Sequence, residues 1–305
     1  MPEKYGQFIH LDGQVIPSED AQLSFYSHSF LYGTSAFEGI RVYQKDRHER
    51  TVFRLEDHID RLLLSCKILG FLAPYSKKEI MNYCIDLCKA NKFTESFLRP
   101  TVFVDRGPLG LSLGTNPPTR LVILNWTWDK YLGDKKSVSL ITSPIIRTLP
   151  NSLFTRAKIS GYYAMNTISK GLAVGQGFDE ALLLDHNGFV AEASGQNIFM
   201  VKNNVVFTPR TNSILPGITR DAVITYLEQS GISIRCEDIT LDQLWCAEEV
   251  FLTGTATEIA SVGTIDGRKI ETGISGKITS HIQEAFLKIF RGQDQRFSSI
   301  WSYDF

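Results

Sequence analysis

The chain changes texture near residue 129. Long helical and strand-like runs come before it, and short strands separated by tight turns come after it. That switch points to an α+β chain of two domains, and 305 residues suffice for each to bury its own core. The polar stretch 129–137, Asp129-Lys130-Tyr131-Leu132-Gly133-Asp134-Lys135-Lys136-Ser137, lies between two strand runs and reads as the connection. The expected division is 1–128 for an N-terminal domain, 129–137 for the linker and 138–305 for a C-terminal domain.

Individual elements follow from periodicity. Phe8 to Pro17 alternates about Asp12-Gly13, a strong hairpin signal. Leu55, Ile59, Leu62, Leu63, Cys66 and Leu69 recur at helical spacing and predict an amphipathic helix over 55–70, closed near Gly70. Ser76-Lys77-Lys78-Glu79 forms a capping box ahead of a second helix carrying Ile80, Cys84 and Leu87. Strands are expected at 97–104 and 121–127, where β-branched and aromatic residues concentrate. Beyond the linker, 181–185, 189–193, 197–202 and 205–209 are separated by Asn187-Gly188 and Asn203-Asn204, the pattern of an antiparallel meander. A helix over 218–230 should stop at Gly231, and Ile278, Ile282, Phe286 and Ile289 mark a last helix before Gly292.

Charge and hydropathy exclude several partners. The net charge of −1, with 21% charged residues, shows no basic face for nucleic acid. No apolar run approaches the roughly 20 residues of a membrane span, and the N-terminus shows no apolar signal core, so a cytoplasmic protein with a small-molecule partner is expected. Five cysteines, an odd number, suit reduced thiols. Cys84 and Cys88 lie four apart on one helix face, but no second Cys/His pair accompanies them, so core thiols rather than a metal are expected.

Five segments carry chemistry. Pro216-Gly217-Ile218-Thr219 meets a helix N-terminus, where uncapped N–H groups and the helix dipole suit a phosphate; Thr219 as an ordinary N-cap explains it as well. Gly254-Thr255-Ala256-Thr257 ends an apolar strand and offers hydroxyls and amides to an anion, or merely turns. Lys158, in Arg156-Ala157-Lys158-Ile159-Ser160-Gly161-Tyr162-Tyr163, is either a solvated charge or the amine that an aldehyde cofactor requires. Glu192, in Glu192-Ala193-Ser194-Gly195-Gln196-Asn197, is either a surface charge or the carboxylate at a pyridine nitrogen. Arg61, on the amphipathic helix, either pairs with phosphate or faces solvent.

Taken together in this order, and with Tyr32-Gly33-Thr34-Ser35-Ala36-Phe37-Glu38-Gly39-Ile40-Arg41, Leu98-Arg99-Pro100 and Asn116-Pro117-Pro118, these segments resemble the fold-type IV pyridoxal-phosphate enzymes, most closely the branched-chain amino acid aminotransferases. The resemblance runs from about Phe8 to Arg291. It implies a smaller N-terminal α/β domain and a larger C-terminal domain with an antiparallel pseudo-barrel sheet and helices. It also implies pyridoxal 5′-phosphate as cofactor, a homodimer or larger assembly of dimers, and transamination between Leu, Ile or Val and 2-oxoglutarate. By the same resemblance Lys158 forms the Schiff base and moves the proton. Tyr163 hydrogen-bonds the cofactor's phenolate oxygen, and Glu192 pairs with its ring nitrogen. Arg61, Gly217, Ile218, Thr219 and Thr255 hold its phosphate. Thr255 and Ala256 take the substrate carboxylate; Tyr32, Phe37, Trp128 and Tyr131 line an apolar pocket, with Arg41 and Arg99 near its entrance.

Two departures bear on substrate choice. Phe97-Leu98-Arg99 stands where bacterial branched-chain members carry Tyr-x-Arg, so a hydroxyl beside the substrate carboxylate is missing at Phe97. The loop 105–115, which in the family reaches toward the neighbouring subunit's active site, is longer by a few residues. Competing readings are a D-amino acid transaminase, an (R)-selective amine transaminase, an aminodeoxychorismate lyase, and a non-catalytic binding protein of the same fold; Lys158, Tyr163 and Glu192 argue against the last.

Overall fold

Asp12 and Gly13 both take positive φ, 45° and 89°, and so close a two-residue turn between strands Phe8–Leu11 and Gln14–Pro17 as the sequence predicts. The structure, a computed structural model, describes residues 4–107, 109–128, 131–133, 135–149 and 151–305. It divides into two compact units. Unit 1 is Met1–Asp129, Ala157–Tyr163 and Lys288–Phe305; unit 2 is Lys130–Arg156 and Ala164–Leu287.

The sheet of unit 1 runs in the order Ser302–Asp304, Arg50–Phe53, Ile40–Gln44, Ser96–Val104, Thr119–Thr127, Phe8–Leu11, Gln14–Pro17, with Lys4–Tyr5 on Thr119–Thr127 and Ser35–Phe37 on Ser96–Val104. Strand alternation gives this sheet two unlike faces. Leu98, Val102, Val104, Leu121 and Ile123 point into the core shared with helices Leu55–Leu69 and Lys77–Asn91, against Ile59, Leu62, Cys66, Ile80, Cys84 and Leu87. Phe97 and Arg99 alternate with that set and point to the other face. Register puts Arg41 and Trp126 directly opposite Phe97, so these too share the second face.

The first helix ends and the second begins as the sequence indicates. Gly70 closes the first at φ 86°, and the Ser76–Glu79 capping box is complete. The core thiols are fully enclosed: burial pushes Cys66 and Cys88 up to about 12.

Two segments expected in the C-terminal domain group instead with unit 1. Ile159 bridges Ala36, and Ser302–Asp304 pairs antiparallel with Arg50–Phe53, so strand pairing overrides position along the chain. Asp129, Lys130 and Asp134 of the expected linker lie outside the described residues.

Unit 2 is built on a sheet in the order Val190–Ala193, Glu180–Leu184, Val138–Thr142, Glu258–Ile265, Glu249–Gly254, Asn197–Lys202, Val205–Thr208, Ile234–Cys236. The expected meander is corrected here. Its two outer hairpins form, but Val190–Ala193 makes no ladder with Asn197–Lys202; three strands of distant sequence and Glu180–Leu184 lie between them. The hairpin signals at Asn187-Gly188 and Asn203-Asn204 are local and form ladders, whereas the turn at Ser194-Gly195 closes on Ala193 N–H to the Gln196 carbonyl and no ladder follows it. Parallel ladders also occur, between Val138–Thr142 and both its neighbours and between Val205–Thr208 and Ile234–Cys236. Helix Ile218–Gln229 is followed by Gly231 at φ 72°, and helix Lys277–Phe290 ends just before Gly292 at φ 64°. No helix among the described residues is long and apolar enough to cross a membrane.

Candidate functional site

In unit 1 the central group is Lys158. Its main chain is fixed on both sides: the N–H donates to Ser65 Oγ at 3.0 Å, and the carbonyl accepts from Phe37 N at 3.0 Å. Its side chain reaches the Tyr163 hydroxyl, Nζ to Oη 2.5 Å, with the Phe37 ring 4.9 Å away. Phe37 packs edge-on against Tyr163 with centroids 4.8 Å apart. The lysine and tyrosine are five residues apart, and the short Ser160–Tyr162 turn brings them together.

Arg99 sits in an aromatic box on the second face of the sheet. Its guanidinium carbon lies 4.6 Å from the Phe37 ring centre, 5.6 Å from Trp126 and 5.9 Å from Phe97. Burial lowers the Arg99 pKa, and its Nε is buried without a hydrogen-bond partner. A buried cation with an orphaned donor is costly unless an anion comes to it. Phe97 packs edge-on against Trp128, at 5.2 Å. Tyr32 and Arg41 are engaged elsewhere: the Tyr32 hydroxyl donates to the Leu109 carbonyl at 2.9 Å, and Arg41 lies over Tyr43.

Arg61 does not face solvent. Its Nε and Nη2 fork onto Glu38 at 2.6 and 2.9 Å, and His58 Nδ1 lies 2.8 Å from the same carboxylate. Burial alone would push the Glu38 carboxyl up. The Arg61 guanidinium and the hydrogen bonds from His58 and Arg61 outweigh it and hold the group well below the usual carboxylate range. Burial pushes the His58 imidazole down against the pull of Glu38, so His58 is neutral and donates through Nδ1.

In unit 2 Glu192 is a buried carboxylate held on several sides. Arg147 Nε donates to Oε1 at 2.6 Å, Asn197 Nδ2 to Oε2 at 3.1 Å, and Leu215 N–H to both oxygens at 3.3 Å. Asn197 also donates to the Leu215 carbonyl, which ties Glu192 to the segment leading into helix Ile218–Gln229. The N-cap of that helix is Gly217, not Thr219, and no side chain caps it. Thr219 is the second helical residue, so the N–H groups of Ile218 and Thr219 belong to the uncapped first turn. Thr255 and Ala256 lie in the turn between Glu249–Gly254 and Glu258–Ile265. Tyr131 lies under the ammonium of Lys170, at 5.5 Å.

Glu38, His58, Ser65, Trp126, Arg147 and Asn197 also belong to these clusters, and no motif singles them out. His58, Arg61 and Ser65 stand at helical spacing beside the apolar stripe, and that period was the available signal. Nothing local marks Arg147, whose role depends on a partner 45 residues away. Among the described residues no group of three or more His, Cys, Asp or Glu is arranged to hold a metal ion.

Taken unit by unit, an amine against a phenol and a forked arginine in unit 1, and a carboxylate held by an arginine and an uncapped helix N-terminus in unit 2, are groups of the kinds that an anionic aldehyde cofactor with a basic ring nitrogen needs. Comparison with known proteins agrees with it. The family model for amino-transferase class IV matches residues 35–265. The branched-chain-amino-acid aminotransferase of Salmonella typhimurium is 38% identical over 304 residues, covering 97% of this chain and 96% of its own. That of Pseudomonas aeruginosa is 34% identical over 290 residues, covering 94% of each. The crystal structure of the T.th. branched-chain amino acid aminotransferase with pyridoxamine 5′-phosphate superimposes with a TM-score of 0.93 at 34% identity, covering 98% of each chain. The chain therefore belongs to the class IV amino-transferases, alongside the branched-chain-amino-acid aminotransferases.

Proposed function

We propose that this protein is a pyridoxal 5′-phosphate-dependent transaminase that moves the amino group between Leu, Ile or Val and 2-oxoglutarate, giving branched 2-oxo acids and L-glutamate. The observation that carries the reading is the Lys158 amine placed against the Tyr163 hydroxyl in a chain of this family. The T.th. relative has been solved with N-(5′-phosphopyridoxyl)-L-glutamate and with 4-methylvaleric acid, the latter sharing the carbon skeleton of leucine.

The cofactor, when bound, supplies an aldehyde that accepts the amino group and a protonated ring that draws electrons from the substrate α-carbon. The residues do the rest. Lys158 Nζ would hold the aldehyde end of the cofactor and, as a free amine, would move the proton at the substrate α-carbon. Tyr163 Oη orients that amine and holds the cofactor's phenolate oxygen. Glu192, steadied by Arg147 and Asn197, keeps a proton on the ring nitrogen. Arg61, the N–H groups of Ile218 and Thr219, and Thr255 bind the phosphate. Thr255 and Ala256 take the substrate α-carboxylate. Arg99 meets the distal carboxylate of glutamate, which supplies its missing partner, while Phe37, Phe97 and Trp128 present an apolar wall to an aliphatic side chain.

Borohydride reduction of the loaded enzyme followed by peptide mapping should put the pyridoxyl group on Lys158. A label on another lysine, or none, would defeat the assignment. In single-turnover absorbance, L-leucine and L-glutamate should shift the bound cofactor; response to D-alanine or 1-phenylethylamine in their place would overturn the substrate assignment.

The protein is further proposed to work as a cytoplasmic homodimer or assembly of dimers. Free cysteines support the compartment. Phe25 and Tyr26, 75% and 66% exposed, with Phe30 and Leu31 beside them, give unit 1 an apolar face of the kind that a second copy covers.

A further inference from the structure

Helix Leu55–Leu69 carries a polar stripe along its buried side. His58, Arg61 and Ser65 follow one another at helical spacing beside Ile59, Leu62 and Cys66, and all converge on groups outside the helix. The convergence point is Glu38, fully buried in the turn between Ser35–Phe37 and Ile40–Gln44. Four donors reach it: Arg61 Nε to Oε1 at 2.6 Å, and to Oε2 Arg61 Nη2 at 2.9 Å, His58 Nδ1 at 2.8 Å and Gly39 N at 3.3 Å. A two-pronged fork of this kind fixes the plane of a guanidinium as well as its position. The stripe continues through Ser65, whose Oγ donates to the Arg61 carbonyl at 2.7 Å and accepts from Lys158 N at 3.0 Å. The helix face that sets Arg61 thus also sets the backbone of Lys158.

We infer that Glu38 is a positioning residue: through the fork, with His58 behind it, it holds the Arg61 guanidinium in the one orientation that meets a phosphate. The inference rests on the reading above, in which Arg61 binds the phosphate of pyridoxal 5′-phosphate. Its physical rival is simple neutralisation. If Glu38 acted only as a negative charge beside Arg61, it would oppose a phosphate dianion, and removing it would tighten binding. The two roles therefore predict opposite signs.

The test is a titration of the cofactor-stripped full-length chain with pyridoxal 5′-phosphate and, separately, with pyridoxal, which lacks the phosphate, followed by absorbance of the bound form. Glu38→Gln removes the charge at constant size, and Glu38→Asp keeps the charge but shortens its reach. Each should weaken binding of pyridoxal 5′-phosphate by roughly tenfold or more while leaving pyridoxal nearly unchanged, the scale expected for losing hydrogen bonds to a charged group. In an Arg61→Gln background, Glu38→Asp or Glu38→Gln should add nothing, because the route through Arg61 is already cut. Tighter binding of pyridoxal 5′-phosphate, an equal loss for both ligands, or losses that add in the double variant would overturn the inference. Should Glu38→Gln fail to fold, Glu38→Asp decides by the same criteria. A neutral Arg61→Gln would remove the phosphate role of Arg61 itself and the inference with it, a result distinct from a neutral Glu38→Asp beside a damaging Arg61→Gln.

Discussion

His10 is buried with its ring stacked on Tyr83, centroids 4.1 Å apart, and neither ring nitrogen has a hydrogen-bond partner. Burial lowers its pKa from 6.5, with Asp86 and Asp12 pulling weakly the other way. The folded chain therefore holds fewer protons than the unfolded chain just below pH 6.5, and stability falls as pH drops through that value. His10→Phe keeps the stacking and removes the orphaned nitrogens. It should raise stability by about 1 kcal/mol near neutrality and by more at pH 5.5, with a flatter pH profile. Urea midpoints at pH 5.5 and 8 check this, and a loss of stability at both would refute it. His58, lowered in the same direction, leaves some slope in place. At this scale the sequence was legible where a residue type announces its chemistry within a motif, as Lys158 and Tyr163 do within five residues. It was illegible where charge is matched across the fold: nothing near Glu38 in sequence names Arg61, 23 positions away, as its partner.

The predicted helices lie where their local signals put them: an apolar period, a capping box at Ser76, glycines at positive φ at Gly70 and Gly231, whereas helix Tyr163–Gly175 was not predicted. Hairpin partners were found, but strands Ile40–Gln44, Arg50–Phe53 and Glu258–Ile265 were not, nor were distant partners, since Val138–Thr142 pairs with segments 40 and over 120 residues away. The same limit hid the role of Asn197, which spans from its strand to Glu192 and to Leu215. A Cβ on Gly217 would lie 2.0 Å from Asn197 Oδ1, although the backbone there, at φ −70°, would accept any residue. Gly217→Ala must therefore push the Asn197 amide aside and loosen Glu192. Overpacking of this kind costs about 1–3 kcal/mol. A lowered thermal midpoint together with weaker cofactor binding is expected, and unchanged values of both would show that the amide has room to move.

For the molecule as a whole, the exposed aromatic cluster at Phe25, Tyr26 and Phe30 sits in the same unit as the loop carrying Leu109 and Leu111. Within unit 1 Tyr32 and His28 anchor that loop through the Leu109 and Gly110 carbonyls. If a second copy covers the cluster, Phe25→Asp combined with Phe30→Asp should convert the protein to monomers in light scattering. A dimer of unchanged mass would remove this face from consideration. In the proposed reaction Lys158 is the part of this molecule that has to move, and its main chain gives it a stationary mount. Both of its main-chain polar groups are spent, on Ser65 and on Phe37. The travel available to the amine is therefore only that of its own four-carbon stem, a short tether swinging from a fixed point, and chain entropy cannot be drawn on to extend its reach.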